Sequence, residues 1–406
     1  MLVSRQPSLT SVRRDAWVEV DLAAVEKNVR VVRSWLTPGT QLMAVVKSDG
    51  YGHGAASLAP VLQASGAQWF GVASVDEGCQ LRDAGVKIPI LILSPCPSWA
   101  MSTAIDSGLQ ITITASSQVA DLVTAATRLQ KQAQIHLKVD TGMHRLGVSP
   151  MAVADVLAEI DCQKSLKLVG IFSHLAQADE EATTQRQNCC FQDVLKRISR
   201  SGKPAPLIHL SSGEAARRFP DTHYDLVRVG LYLYGLEPQA VSQVVTPALS
   251  LRGRITHLQG IEAGQSVGYG LTWAAERPTR LASIPIGYAD GVDRGLSNRL
   301  LGLFMGKAVK QVGLISMDQM LFDVTDVPQA NEGDVITLIG TEGPAVHRER
   351  EASQNVAAAG ASTLHLATWA TMLDTITYEL ACRLRVRLPR IYTRPRPSAG
   401  LTGKTT

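Results

Sequence analysis

Eight short apolar runs between residues 42 and 229 limit the fold more than any other feature of the chain. They lie at Leu42–Val46, Trp69–Ala73, Ile88–Leu93, Gln110–Thr114, Ile135–Val139, Leu168–Phe172, Leu207–Leu210 and Leu226–Val229. Helical stretches separate most of them, among them Ala55–Ser65, Asp76–Ala84, Met151–Ile160 and Gln185–Ser201. Eight strands with helices between them is the arithmetic of a (β/α)8 barrel, an α/β fold of TIM type whose chemistry sits at the strand C-termini. A doubly wound open sheet is the alternative, but the glycine pattern Gly-x-Gly-x-x-Gly it would carry after its first strand is missing. Ahead of the barrel, Ala16–Val20 alternates like a strand. Asp21 then caps a helical pattern in which Leu22, Val25, Val29, Val32 and Leu36 share one face.

Reactive residue types collect at the ends of these runs. The stretch Met43–Gly54 carries apolar residues into Lys47 and then breaks into a glycine-rich turn. It reads as a buried strand that delivers one lysine to the barrel mouth. A buried ammonium must be neutralised or paired, and a desolvated amine is uncharged and nucleophilic, so Lys47 is a candidate Schiff-base residue. The plainer reading is a lysine snorkelling from a strand end. Asp140 to Arg145 follow the fifth run, Ser173-His174 the sixth, and Ser211-Ser212-Gly213 the seventh, while Arg228 to Leu231 lie at the eighth.

From about residue 248 helical periodicity fades and strand-and-turn segments take over. They are Leu249–His257, Ser266–Tyr269, Arg280–Ile286, Ala308–Ile315, Met320–Val324, Val335–Ile339 and Tyr378–Leu388. The expected organisation is a loose tail over 1–14, a barrel domain over 15–248, a mostly β domain over 249–392 and a second tail over 393–406. Two tyrosines in the β domain, Tyr269 and Tyr288, are flanked by glycines that allow close approach. A net charge of +4, part of it in the two tails, and aromatics that do not interleave with basic residues argue against a nucleic-acid partner. No apolar run reaches membrane-spanning length and the N-terminus lacks the core of a signal peptide. The six cysteines form no regular framework, as expected of reduced thiols in a cytoplasmic protein.

With these residues in view, the chain resembles bacterial alanine racemases from about Trp17 to Tyr392. Six motifs in order carry the resemblance. They are Ala44-Val45-Val46-Lys47 with Tyr51-Gly52-His53-Gly54, Lys138 to Gly147, Val227-Arg228-Val229-Gly230 with Tyr234-Gly235, Gly268-Tyr269-Gly270, Pro285 to Gly291, and Ser316-Met317-Asp318-Gln319. The resemblance implies a barrel followed by a C-terminal β domain, a homodimer with shared active sites, pyridoxal 5'-phosphate as cofactor and an amino acid as substrate. Lys47 is similar to the residue that holds the cofactor and then acts as base for the D-isomer. Tyr269, supplied by the other subunit, is similar to the base for the L-isomer. Arg228 is similar to the arginine facing the pyridine nitrogen, where transaminases place a carboxylate. His174 orients it. Arg145 resembles the arginine bonded to the cofactor's phenolic oxygen and the substrate carboxylate. In some members the lysine equivalent to Lys138 carries a carbamate that fixes this arginine. Tyr51, Ser212 and the amides of Gly230 and Leu231 form the implied phosphate cradle, while Met317 and Tyr288 line substrate access from the partner.

Three positions depart from the family pattern. Ser212-Gly213 stands where Asn-Ser is common, Val386 stands where some members have a tyrosine touching the phosphate, and Ser48-Asp49-Gly50 replaces Ala-Asn-Ala. Two further readings stay open: a racemase of broader range, or one preferring serine, on the same scaffold, favoured by Val386, and a non-catalytic cofactor-binding protein. The second would be shorter and lack the β domain. A decarboxylase of this fold would need acidic and cysteine motifs in the second domain, and none is found.

Overall fold

The computed structural model describes residues 14–199, 206–236, 244–342 and 363–394. The chain divides into two compact units, one built from Val25–Gly235 and the other from Leu236 onward together with the N-terminal stretch to Ala24.

The first unit is the barrel. Its strands are Gln41–Val45, Trp69–Val72, Ile90–Pro95, Gln110–Ile113, Ala133–Lys138, Leu166–Phe172, Leu207–His209 and Leu226–Val229. All pair in parallel, and the eighth lies against the first with Gln41 opposite Leu226. The seventh and eighth meet through the Asp225 N–H to the Ile208 carbonyl (3.0 Å) and the Arg228 N–H to the Ser211 carbonyl (3.1 Å). The ring is thus nearly closed. Its strands are mostly apolar on both faces because helices cover them outside and side chains fill them inside, with polar members such as His136, Lys138, His209 and Arg228 as buried exceptions. Met43, Trp69, Leu91 and Leu226 form one such interior cluster.

The second unit is a ten-stranded sheet among the described residues. Its path runs His257–Ile261, Thr279–Ile284, Met320–Asp323, Lys307–Val312, Leu301–Phe304, Val335–Thr341, Leu249–Arg254, Ala16–Asp21 and Arg390–Thr393, with Thr363–Leu364 beside Val335–Thr341. Here the expected boundaries need correction. Ala16–Asp21 does not belong with the barrel: it pairs antiparallel with Leu249–Arg254, Ala16 opposite Gly253, and parallel with Arg390–Thr393. Arg14 is no loose residue either, since its guanidinium meets the fully buried Asp290 carboxylate at 2.6 Å. Thr393, placed in the second tail, ends a strand opposite Asp21. The remaining tail residues, 1–13 and 395–406, lie outside the described residues.

Tyr378–Leu388 is likewise not a strand. Thr377–Arg383 is a helix that buries Thr377, Leu380 and Ala381, an i, i+3, i+4 spacing. A second helix, Leu366–Leu373, precedes it and buries Leu366, Trp369 and Ala370. No helix among the described residues is long and apolar enough to cross a membrane.

Candidate active site

The first barrel strand ends at Val45, and the chain then turns through an unusual left-handed coil. Ser48 (φ 54°, ψ 46°), Asp49 (φ 53°, ψ 49°) and Gly50 (φ 63°, ψ 42°) lie in the left-handed region, followed by Tyr51 at φ 54°. Each L-residue held there costs about 1–2 kcal/mol, so the surroundings must enforce it. Glu77 does much of this: its carboxylate accepts the Ser48 N–H (2.6 Å) and the Ala73 N–H (2.7 Å), tying the turn to the end of the second strand. Asp49 accepts the Ala55 N–H at 2.8 Å, and Gly50 and Gly54 donate to the Val46 and Asp49 carbonyls. Tyr234 donates to the Val45 carbonyl at 2.9 Å, and its ring lies 5.2 Å from that of Tyr51. Lys47, half-buried, therefore sits on a fixed turn.

Tyr51 reaches the end of the eighth strand. A Cβ built on Gly230 would fall 2.6 Å from the Tyr51 hydroxyl, so only glycine lets the tyrosine approach this closely. Gly230 and Leu231 begin the short 3-10 turn Leu231–Tyr234. Ser212 opens the helix Gly213–Arg218 without making a capping bond to it. Its neighbour Ser211 is fully buried and donates to the Thr222 carbonyl at 2.8 Å. Of the two hydroxyls, only the half-buried Ser212 is available to a ligand. A Cβ at Gly213 would press on the Tyr232 ring at 2.6 Å and on Val229 at 3.3 Å, which places the seventh-strand end beside the eighth.

Arg228 is 5% exposed and surrounded by acceptors. Its Nη2 donates to the carbonyls of Ser173 (2.7 Å) and Leu210 (3.0 Å) and to His174 Nδ1 (3.1 Å), and its Nη1 donates to His209 Nδ1 (3.1 Å). Its guanidinium also lies over the Phe172 ring, 5.2 Å from the centroid. Burial pulls Arg228 down to about 9, which still leaves it charged at neutral pH. Burial first, then Arg228, Lys138, Arg145 and Lys47, push His174 to about 3, so it is a neutral acceptor. Lys138 is 5% exposed and drops to about 8 through burial, Arg228 and Arg145, with Asp140 acting the other way and Lys47 adding a little.

The loop bearing Arg145 is pinned at both ends. Val148 donates to the Lys138 carbonyl (2.8 Å) and Asp140 to the Val148 carbonyl (2.9 Å). Gly147 cannot carry a Cβ, which would meet the Asp140 nitrogen at 2.7 Å. Burial raises the Asp140 carboxyl, but bonds from the His144 and Gly142 N–H groups outweigh it and leave it below its usual range.

Lys47, Lys138, Arg145, Arg228 and His174 thus feel one another at the C-terminal mouth, with Tyr51, Ser212 and Gly230 beside the eighth strand. Four cationic side chains around one mouth suit an anionic ligand, and the Tyr51 hydroxyl brought against the Gly230 backbone places a donor beside the start of the Leu231–Tyr234 turn, where a phosphate could be held. That donor set fits pyridoxal phosphate. Among the described residues no group of three or more His, Cys, Asp or Glu could hold a metal ion. Three participants escaped the sequence reading. His209 and His136 look like single histidines in apolar runs, and Glu77 like an ordinary acidic residue in a helix's first turn.

The burial of Lys138 has a measurable consequence. Its value in the folded protein, about 8, lies below the ordinary 10.5. The unfolded chain therefore holds the extra proton between these values, and stability rises as pH climbs through that window. Below pH 8 the buried charge costs the fold an amount on the order of 3 kcal/mol. In cofactor-free protein kept free of carbon dioxide, Lys138→Met is expected to resist urea better than wild type at pH 7. The advantage should shrink toward pH 10.5; a constant difference would show that Lys138 is not charged and buried together.

In the second unit, Tyr269 is 73% exposed and starts a 3-10 turn between Gly268 (φ 72°) and Gly270 (φ 68°). Tyr288, 42% exposed, and Met317, 53% exposed, come together: the Tyr288 N–H donates to the Ser316 carbonyl and the Ala289 N–H to the Met317 carbonyl, both at 3.0 Å. A Cβ on Gly287 would overlap both carbonyl oxygens. Asp290 underpins this loop by accepting the Gly287 N–H (3.0 Å) and pairing with Arg387 (2.7 Å). Val386 is 89% exposed.

The chain matches two family models in order: "Alanine racemase, N-terminal domain" over residues 20–238 and "Alanine racemase, C-terminal domain" over 248–392. It is 38% identical over 384 residues to an alanine racemase of Nostoc sp., covering 93% of this chain and 95% of that one. To the alanine racemase of Synechocystis sp. it is 38% identical, covering 94% and 99%. Among solved structures, alanine racemase from Streptomyces lavendulae superposes with a TM-score of 0.82 at 32% identity, covering 95% of this chain and 98% of that one. The enzyme from E. faecalis does so with a TM-score of 0.83 at 32% identity, covering 94% and 98%. On both halves and over nearly its whole length, the chain belongs to the alanine racemase family.

Proposed function

We propose that the protein interconverts L-alanine and D-alanine with pyridoxal 5'-phosphate, as a cytoplasmic homodimer that supplies D-alanine for peptidoglycan. The observation that carries the proposal is the buried Arg228, held by four acceptors, in one mouth with Lys47, Lys138 and Arg145. Lys47 would hold the cofactor covalently and Arg228 would face its ring nitrogen. Arg145 would meet its phenolic oxygen, and Tyr51, Ser212 and the amides of Gly230 and Leu231 its phosphate. When bound, the cofactor supplies an electron sink that makes the α-hydrogen of an amino acid removable.

Inversion then needs one base on each face of the α-carbon. Lys47 would take or return the proton on the D side. Tyr269 from a second copy of the chain moves it on the L side, and its exposure in one copy supports that division. Arg145 holds the substrate carboxylate, and a carbamate on Lys138 would neutralise the cationic cluster and fix Arg145. The Met317 main chain and Tyr288 line the approach and exclude larger side chains.

The test is incubation of purified protein and cofactor with L-alanine in heavy water, serine and arginine running beside it. Chiral chromatography follows the D-isomer and proton spectra the α-hydrogen. D-alanine carrying deuterium, with little product from the others, is the expected result. Turnover of serine or arginine at a comparable rate would replace the proposal with a broad-range racemase. Binding of the cofactor without α-exchange would remove it. A mass spectrum of the intact protein that loses one carbon dioxide on acidification would confirm the carbamate; an unmodified mass throughout would exclude it.

A further inference from the structure

Behind Arg228 a line of polar side chains crosses the otherwise apolar barrel. His209 Nε2 lies 3.0 Å from His136 Nδ1, His136 Nε2 lies 2.6 Å from Gln110 Oε1, and Gln110 Nε2 donates to Gln134 Oε1 at 2.9 Å. His209 and His136 are fully buried, Gln110 is 6% exposed and Gln134 is exposed. The line therefore runs from the proposed active site to the opposite surface through the seventh, fifth and fourth strands.

The order of protons along it follows from Arg228 alone. A guanidinium has donors and no acceptor, so the His209 Nδ1 it faces must be bare. A neutral imidazole carries one proton, which places it on His209 Nε2, donating to a bare His136 Nδ1. The His136 proton is then on Nε2 and donates to Gln110, whose amide donates onward. Reversing any link would set two N–H groups against each other at the next. Both rings are neutral: burial and Arg228 push His136 to about 3, and burial, Arg228 and His136 hold His209 well below its ordinary value.

The packing is arranged around these rings. Phe172 stacks on His209 at 4.6 Å with 9° between planes, and Trp69 meets His136 edge-on at 5.7 Å. Gly170 gives His136 its space, because a Cβ there would overlap the ring, and the pairing register shifts between Ile135 and His136 at this point. A leucine in the same place would fill the volume with no need of partners.

We propose that His136 and Gln110, acting through His209, are positioning residues that hold Arg228 in its donor-only orientation toward the ring nitrogen of the cofactor. The proposal rests on the assignment of Arg228 given under the proposed function. Loosening the chain frees the Nη1 side of the guanidinium while leaving substrate contacts in place.

The test uses the full-length, cofactor-loaded protein labelled with 15N-histidine. Long-range nitrogen–proton correlation is expected to show His136 and His209 both protonated at Nε2 and bare at Nδ1, with signals assigned by their loss in His136→Leu. In kinetics, His136→Leu is expected to lower kcat about tenfold, the scale of losing a partner that orients an active-site group, with KM for alanine changed less than about twofold. His136→Asn, whose Oδ1 stands where Nδ1 did, should recover most of kcat. A role in packing alone requires the opposite ranking, because leucine fills the site better than asparagine. Where His136→Leu does not fold, Gln110→Met against Gln110→Glu makes the same distinction: the carboxylate accepts the His136 proton and the thioether barely does.

A proton on either Nδ1, leucine outperforming asparagine, or Gln110→Met matching Gln110→Glu would each overturn the proposal. Failure of the underlying reading looks different. Wild-type protein would then retain no cofactor absorbance, the positioning role would fall with it, and the histidine spectra of the cofactor-free protein would still report the proton order.

Discussion

Tyr269→Phe is expected to slow racemisation in both directions by about 10²–10⁴, the usual contribution of a positioned general base. The two directions must fall together, because the equilibrium constant between enantiomers is one whatever the enzyme. The asymmetry will appear elsewhere. With Lys47 intact, D-alanine should still exchange its α-hydrogen with heavy water and return as D-alanine. Exchange from L-alanine should stop, since the base on that face is gone. Proton spectra of each isomer, taken before any inversion accumulates, separate the two faces directly. The substitution removes one oxygen from a side chain that is 73% exposed and lies between two glycines of positive φ, so the thermal midpoint of the fold should not move. Racemisation at the wild-type rate, or equal loss of exchange from both isomers, would remove Tyr269 from the reaction.

What the chain discloses before folding depends on how far apart the interacting residues lie. The barrel strands read to within two residues at every end because helices outside and packed side chains inside leave each a mostly apolar run, in spite of exposed members such as Gln134 and Lys167. Ala16–Asp21 also reads as a strand, but its partners are Leu249–Arg254 and Arg390–Thr393, and nothing local distinguishes that pairing from membership of the barrel. Thr377–Arg383 reads as part of a strand because the apolar residues around it fit alternation nearly as well as helical spacing over so short a segment. Lys47, Tyr51 and Arg228 stood out because a charged or polar residue at the end of an apolar run is conspicuous. His209 and His136 did not, since a histidine within an apolar run states nothing about its partner, here 73 positions away. Glu77 was hidden for the same reason: the N–H groups it accepts belong to Ser48 and Ala73, 29 and 4 positions away, and nothing in its own helix announces either.

Arg228→Glu is expected to be the most damaging change in the barrel, and through two separable effects. The first is on the fold. Arg228 donates to the buried carbonyls of Ser173 and Leu210, and a carboxylate offers them nothing. Leaving those acceptors and a buried anion uncompensated costs on the order of 3–5 kcal/mol, less whatever Lys138 and Arg145 return by attraction. The second is on the reaction. Arginine cannot give up its proton, so a ring nitrogen placed against Arg228, as proposed, would accept a hydrogen bond and stay unprotonated, which would limit the electron sink and with it side reactions such as transamination. A carboxylate in its place would support a protonated nitrogen. Racemisation should fall by about 10²-fold, as for loss of one preorganised electrostatic group. At the same time, the amount of pyridoxamine formed per racemisation event should rise above wild type. The proton order behind the site should also reverse, His209 now donating from Nδ1 to the carboxylate. Arg228→Lys separates charge from geometry: it keeps the cation and loses the fork, so stability should suffer less and the ratio of pyridoxamine to racemised product should stay low. A ratio unchanged in Arg228→Glu would mean that Arg228 does not face the ring nitrogen. Its four acceptors would then have to be explained by the stability of the barrel alone.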